Sequence, residues 1–229
     1  MDCAENCFSK SHFLFKHLTD SELDLIISHK DDGLHKRGSV LYNEGNRIKG
    51  IYCINSGIIK LFKTGVDGKE QILRFASAGE IIGYRSVLSS ELACTTSEVI
   101  NESTSCYVPG EIVIELIKNN GDFALELMQM TCRELGEANS YITDIAQKTA
   151  KERLAEILIH LKNEFGVDEN DVLKISLTRE ELANIVGTAT ESIIRMLSEF
   201  KQEKLLEIKG RNIKILDFSS LNNISNSFF

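Results

Sequence analysis

The sequence predicts an α+β protein in three parts: an N-terminal β-roll, a long helix, and a C-terminal winged helix-turn-helix. Three observations predict it. Short β-prone runs punctuated by glycine fill residues 38–108. A heptad-like apolar pattern follows, and residues 178–201 read as two short helices joined by one tight turn. The expected boundaries are 1–109 for the roll, 110–147 for the long helix, 148–217 for the winged region and 218–229 for a polar tail.

Thr19 stands three residues before Glu22, the spacing of a capping box, and opens a short helix from Asp20 to about Ser28. From Gly38 to Val108 the runs VLY, GIYCI, GIIKLF, EQILRF, EIIGY, SEVI and SCYV alternate with turns at Gly45, Gly57, Gly65, Gly68, Gly79 and Gly83. Many short strands at near-regular spacing suggest an antiparallel barrel or roll. The single proline, Pro109, marks the exit.

Helical periodicity runs from Gly110 through Ala146, with an expected break near Gly121. Met128, Leu135 and Ile142 are seven apart, and Thr131, Ala138 and Ile145 form a second row. Such a seam suits helix-to-helix pairing, with small residues permitting close approach. The alternative is packing on the helix's own domain, which needs a wider stripe that Leu125 and Leu127 partly supply. Lys148–Phe165 is a further amphipathic helix, Gly166–Asp171 a polar loop, and Leu173–Leu177 a short strand.

In TREELANIVGTATESIIRMLSEFK, Thr178 precedes Glu181 by three and Thr188 precedes Glu191 by three, so each pair is expected to cap a helix. Gly187 stands where the chain must turn, and glycine takes a left-handed backbone at little cost. Ala183, Ile185, Val186, Ile193, Met196 and Leu197 supply the inner faces. Glu191 and Arg195 fall on the outer face near the start of the second helix, where base-reading side chains belong in this motif; an ordinary helical hairpin with a surface Glu–Arg pair is the plainer reading. LLEIKGRNIKIL then reads as a hairpin around Gly210 with basic Lys209, Arg211 and Lys214.

Composition is globular, with 42% apolar and 26% charged residues. The net charge of −8 argues against a nonspecific nucleic-acid coat. Residues 148–217 nonetheless carry 12 Lys and Arg against 13 Asp and Glu, so the acidity lies elsewhere. Residues 190–216 hold six basic and four acidic residues, a local bias compatible with DNA contact. No secretory signal or membrane-spanning stretch is visible. Six cysteines without an export signal fit a reducing cytoplasm.

In this order of parts the chain resembles the Crp/Fnr family of bacterial transcription regulators, from about Phe15 to Leu216. The segments that carry the resemblance are GEIIGYRSVL, AKERLAEILIHL and LTREELANIVGTATESIIRMLSEFKQEKLLEIKGRNIKIL. It is closer to the fumarate–nitrate reduction branch than to the cyclic-AMP branch. The resemblance implies a cyclic-nucleotide-binding-like roll and a homodimer on double-stranded DNA, with RNA polymerase as a partner and no enzymatic activity. It places Glu191 and Arg195 at base-reading positions, with Thr190, Ser192 and Ile194 tuning neighbouring bases. Thr178, Thr188, Lys209 and Arg211 fall at backbone-contact positions. Met128, Leu135, Ala138, Ile142 and Ile145 form the dimer seam. Arg suits guanine O6/N7 and Glu accepts from cytosine N4, so a G·C pair within a TGA-like half-site is implied. In the cyclic-AMP branch an Arg occupies the position of Thr190.

The effector region would comprise Gly79, Glu80, Gly83, Tyr84, Arg85, Cys94 and Thr95. The cyclic-AMP pattern sets a Glu after the glycine, where Tyr84 stands, and Arg-Ser where Cys94-Thr95 stand. Cyclic AMP is therefore not expected. In the oxygen-sensing branch an iron–sulfur cluster uses three N-terminal cysteines and one beyond the roll. Cys106 matches the distant ligand, Cys7 one N-terminal ligand and Cys3 lies near another; the third position falls near Phe13. Three thiolates are an incomplete set, so no metal is assigned, and redox chemistry at Cys3 and Cys7 is a rival. A haem on one of His12, His17, His29, His35 or His160 is also open. A cupin-like metal enzyme is disfavoured because residues 38–108 contain no histidine.

Overall fold

The computed structural model describes residues 14–225. Helix α1 (Asp20–His29) opens on the expected capping box, with Thr19 and Glu22 exchanging hydrogen bonds. Eight strands follow: β1 (Asp31–His35), β2 (Val40–Tyr42), β3 (Gly50–Ser56), β4 (Ile59–Thr64), β5 (Glu70–Ala76), β6 (Ile81–Ile82), β7 (Thr96–Val99) and β8 (Ser103–Pro109). Helix α2 (Tyr84–Ser89) sits between β6 and β7. The strands pair antiparallel in two four-stranded sheets, ordered β1-β8-β3-β6 and β2-β7-β4-β5.

Side chains alternate across a strand, so β3 serves two cores. Ile54 joins Ile59, Leu61, Ala76, Ile82 and Val99 in one cluster. Ile51 and Cys53 point to the other face, where Leu14, Phe15, Leu18, Leu23 and Ile26 cover the first sheet. Helices α3 (Gly110–Asn119) and α4 (Gly121–Gln147) complete that cover through Val113, Leu116, Phe123, Leu127 and Met130. The Phe15 and Phe123 rings stack at 6.3 Å. The break between α3 and α4 falls where expected. Asn120 leaves the helical conformation, and its side-chain oxygen accepts from the Phe123 N–H to start α4.

Helix α5 (Ala150–Phe165) begins on a capping box of Thr149 and Glu152 that sequence reading missed. Helices α6 (Arg179–Val186) and α7 (Thr190–Gln202) form the helix-turn-helix, β9 (Leu206–Lys209) and β10 (Asn212–Ile215) the hairpin, and α8 (Phe218–Ser225) closes the fold. By contact density the chain divides between Gly136 and Glu137, within α4.

Four expectations about strands and the tail need correction. DDGLH lacks β-branched residues, yet it pairs as edge strand β1 on β8, which brings His35 into the roll. The run EIIGY is strand only at Ile81–Ile82, because Gly83 takes φ 84° and Tyr84 starts a helix. Leu173–Leu177 forms no strand; isolated bridges join Val167 to Leu173 and Val172 to Lys214, while Leu173, Ile175 and Leu177 are buried as loop anchors. The expected polar tail is helical over Phe218–Ser225. Leu221 is fully buried, and Lys162 of α5 lies over the Phe218 ring at 5.2 Å.

Burial of Leu221 makes α8 part of the C-terminal core. Leu221→Ala is expected to lower the unfolding free energy by about 2–5 kcal/mol in denaturant titration. No change in midpoint would mean that α8 is dispensable.

Candidate nucleic-acid interface and sensor region

Helix α6 starts on the expected capping box: the Thr178 hydroxyl accepts from the Glu181 N–H at 3.0 Å, and the Glu181 carboxylate accepts from the Thr178 N–H at 2.6 Å. Gly187 ends the helix with φ 72° and ψ 49°, the left-handed geometry that glycine adopts without a Cβ clash. The Gly187 and Thr188 N–H groups both donate to the Ala183 carbonyl. The second capping box does not form. Ala189, not Thr188, is the N-cap of α7 and makes no side-chain cap, because the Thr188 N–H closes the preceding turn.

The apolar face of the motif is fully committed. Ala183, Ile185, Val186, Ile193, Met196, Leu197 and Phe200 are all at most 5% exposed. This fixes the rotation of α7, leaving Glu191, Ile194 and Arg195 exposed and Thr190 and Ser192 half-buried. Arg195 lies 3.9 Å from Glu199, one turn further on, rather than pairing with Glu191. The outer start of α7 thus presents an acceptor and a cationic fork together.

Arg153 of α5 anchors the turn. Its Nε donates to the Val186 carbonyl at 2.8 Å and Nη2 to the Gly187 carbonyl at 3.4 Å, while Nη1 donates to the Lys148 carbonyl at 2.5 Å. The Tyr141 hydroxyl of α4 donates to the Ile185 carbonyl at 2.8 Å. A helix C-terminus leaves carbonyls without intrahelical partners, and these two side chains satisfy them. Neither was singled out from sequence; the only signal was an Arg near the start of an amphipathic helix.

In the hairpin, Gly210 turns at φ 62° and its carbonyl accepts from Arg179 Nη2 at 2.8 Å. Lys209 is exposed but contacts Glu207 at 2.6 Å, which raises its pKa. Arg211 is exposed. Lys214 turns away to Asp171 and the Asn170 carbonyl.

On α4 two faces separate. Phe123, Leu127 and Met130 are buried against the roll. Leu125, Met128, Leu135, Ile142 and Ile145 are 44–64% exposed, and Ala138 is exposed between them.

In the roll the expected effector residues are tied to one another and to α4. Glu80 pairs with Arg74 at 2.9 Å and accepts from the Ser77 N–H, beside Gly79 at φ 91°. Tyr84 is 4% exposed and donates to Glu134 at 2.5 Å; burial first, then that carboxylate, raises its pKa. Arg74 also reaches Glu134 at 2.9 Å. Burial pushes Tyr42 up to about 12, opposed by a hydrogen bond with Thr95. Arg85 is exposed and donates to Cys94 Sγ. Arg74, Glu134 and Tyr42 were missed from sequence because Arg74 with Glu134, Glu134 with Tyr84 and Tyr42 with Thr95 join residues distant along the chain. Two cavities open on the roll, of about 530 and 750 Å³, and none of Gly79, Glu80, Gly83, Tyr84, Arg85, Cys94 and Thr95 is in their walls.

Cys106 is buried in β8, donates to Asp32 at 3.0 Å and accepts from Asn55 at 3.2 Å. Cys3 and Cys7, like His12, lie outside the described residues. Among the described residues no group of three or more His, Cys, Asp or Glu is arranged to hold a metal. His29 bonds the Leu25 carbonyl, His35 bonds Ser105, and His160 pairs with Glu164.

Residues 152–224 match the Crp-like helix-turn-helix domain, and residues 34–120 match the cyclic nucleotide-binding domain. Among curated proteins, the transcriptional activator protein FnrA of Stutzerimonas stutzeri is 29% identical, over 80% of this chain and 75% of its own length. The fumarate and nitrate reduction regulatory protein of Vibrio cholerae is 28% identical, over 87% of this chain and 80% of its own. A solved Crp/Fnr-family regulator from Eubacterium rectale superposes with TM-score 0.77 at 22% identity, over 93% of this chain and 97% of that one. FixK2 of Bradyrhizobium japonicum gives 0.77 at 21%, over 85% and 96%. Among the described residues no helix is long and apolar enough to cross a membrane.

Arg153→Ala leaves the turn carbonyls without these donors and is expected to cost about 1–3 kcal/mol in chemical unfolding. Unchanged stability would show that water replaces the guanidinium fully.

Proposed function

We propose that this chain, a member of the Crp/Fnr family of DNA-binding transcription regulators, acts as a homodimer on a two-fold-symmetric operator. The observation that carries the reading is the exposed outer start of α7, with Glu191 and Arg195 displayed over a fully buried inner face. Arg195 takes guanine O6/N7, Glu191 accepts from cytosine N4, and Thr190, Ser192 and Ile194 contact neighbouring bases. Lys209, Arg211 and the hydroxyls of Thr178 and Thr188 meet phosphates, and these contacts position the protein without reading sequence.

The exposed stripe from Met128 through Leu135, Ala138 and Ile142 to Ile145 supports pairing with a second α4. Its spacing is that of a two-stranded seam, and large exposed apolar side chains in register mark an interaction face. Half-sites then lie about 34 Å apart, one helical turn. RNA polymerase is the partner that such regulators serve, and the reading needs no catalytic chemistry.

The roll is read as a sensor that does not take cyclic AMP. A cyclic phosphate needs a fixed cation, and Arg74 is already shared by Glu80 and Glu134. Tyr84 fills the position of the ribose-binding carboxylate and points its hydroxyl to Glu134. Glu134 and Tyr141 both lie on α4, so a signal at the roll would bias the helix that also touches the reading motif, a shift between two populated dimer geometries.

Fluorescence anisotropy on a TGA-containing operator tests the base assignment. Arg195→Ala is expected to lose about 1–3 kcal/mol of discrimination at the G·C pair, whereas Lys209→Ala weakens all sequences alike. An Arg195→Ala protein with unchanged preference contradicts the assignment. Calorimetry with cyclic AMP is expected to give no heat of binding, and micromolar affinity would overturn the reading of the roll.

A further inference from the structure

We propose that Cys53 and Cys106 form a thiol pair that closes to a reversible disulfide across the two central strands of the first sheet. Cys53 of β3 and Cys106 of β8 are direct register partners in an antiparallel ladder. Residues directly opposite in such a ladder point to the same face, with Cα atoms about 4.5–5.5 Å apart. Disulfides span Cα separations of about 4.4–6.8 Å, so closure needs little backbone movement. Both side chains belong to the same buried cluster, with Cys53 at 1% and Cys106 at 0% exposure.

A buried cysteine is ordinarily an inert small apolar group. Cys106 differs because its sulfur is engaged by polar groups: it donates to Asp32 Oδ1 at 3.0 Å and accepts from Asn55 Nδ2 at 3.2 Å. Asp32 is the register partner of Cys106 on the other side, so Asp32, Cys106 and Cys53 form one row across three strands. The Asp32 side chain is 43% exposed. It lies on β1, an edge strand of five residues whose burial pattern is mostly open. Fraying of one edge strand therefore brings solvent to Cys106, and local opening of this kind costs far less than global unfolding. Cys53, one strand further in, then meets the sulfur that has reacted.

The oxidant is hydrogen peroxide. The Cys106 sulfur attacks the peroxide oxygen; an S–O bond forms, the O–O bond breaks, and the departing hydroxide takes the thiol proton and leaves as water. Cys106 is then a sulfenic acid. The Cys53 sulfur attacks that sulfur; an S–S bond forms, the S–O bond breaks, and the hydroxide takes the Cys53 proton as a second water. Two thiols are oxidised to one disulfide and one peroxide is reduced to two waters. The cross-link tightens the cluster on which Leu14, Phe15, Phe123, Leu127 and Met130 pack, which places the redox event beneath the start of α4.

The test uses the full-length protein, treated anaerobically with hydrogen peroxide, quenched, denatured, alkylated and digested for mass spectrometry. The expected product is a peptide pair joining Cys53 to Cys106, lighter by two hydrogens and released by dithiothreitol. In Cys53→Ala the cross-link is lost and Cys106 proceeds to the sulfinic or sulfonic acid. The wild-type map stands by itself should that variant fold poorly. Full alkylation of Cys53 and Cys106 after Cys94 and Cys132 have oxidised would overturn the proposal. So would Cys106 joined instead to Cys3 or Cys7.

Discussion

The Arg153 guanidinium is the contact on which the reading surface depends. A helix-turn-helix is useful only if the second helix is held at one angle, and the turn between its helices has carbonyls that α6 itself leaves open. Arg153 donates to two of them, at Val186 and Gly187, and holds the Lys148 carbonyl with the same planar fork. Lysine offers a point charge without that fixed geometry. With Tyr141 bound to the Ile185 carbonyl, the turn is tied from two directions. The apolar face beneath then sets the rotation of α7, and the exposure of Glu191 and Arg195 follows from both constraints.

The roll follows the same logic with charges. Arg74 sits between Glu80 and Glu134, and Glu134 also accepts from Tyr84. The one guanidinium is shared by two carboxylates, so the cation that a charged effector would need is already engaged from within. A ligand there would have to displace two ion pairs before gaining any contact of its own. The fold class is thus compatible with several signals, and function resides in the site rather than the fold.

Much of this architecture was legible in the sequence because it rests on local rules. Capping spacings at Thr19 and Thr178, the obligate left-handed glycine at 187 and the seven-residue apolar repeat on α4 each act within a few residues. The departures at β1 and α8 arise where longer-range contacts decide. DDGLH is a strand because β8 offers it an edge, and Phe218–Ser225 is helical because Leu221 finds the core beside α5. Thr188 and Glu191 have the spacing of a cap, but the Thr188 N–H is used by the preceding turn and the helix starts later. Arg74, Glu134 and Arg153 carry no local signal for the contacts that matter, since Arg74 meets Glu134, Glu134 meets Tyr84 and Arg153 meets Val186, all far apart along the chain.

In the proposed function two copies of α7 read a symmetric sequence through Glu191 and Arg195. The most direct measurement is selection of binding sites from a random duplex library with the purified full-length protein. The expected motif is an inverted repeat of TGA-like half-sites with an invariant G·C pair, spaced by one helical turn. A recovered motif without two-fold symmetry, or without that G·C pair, would contradict it.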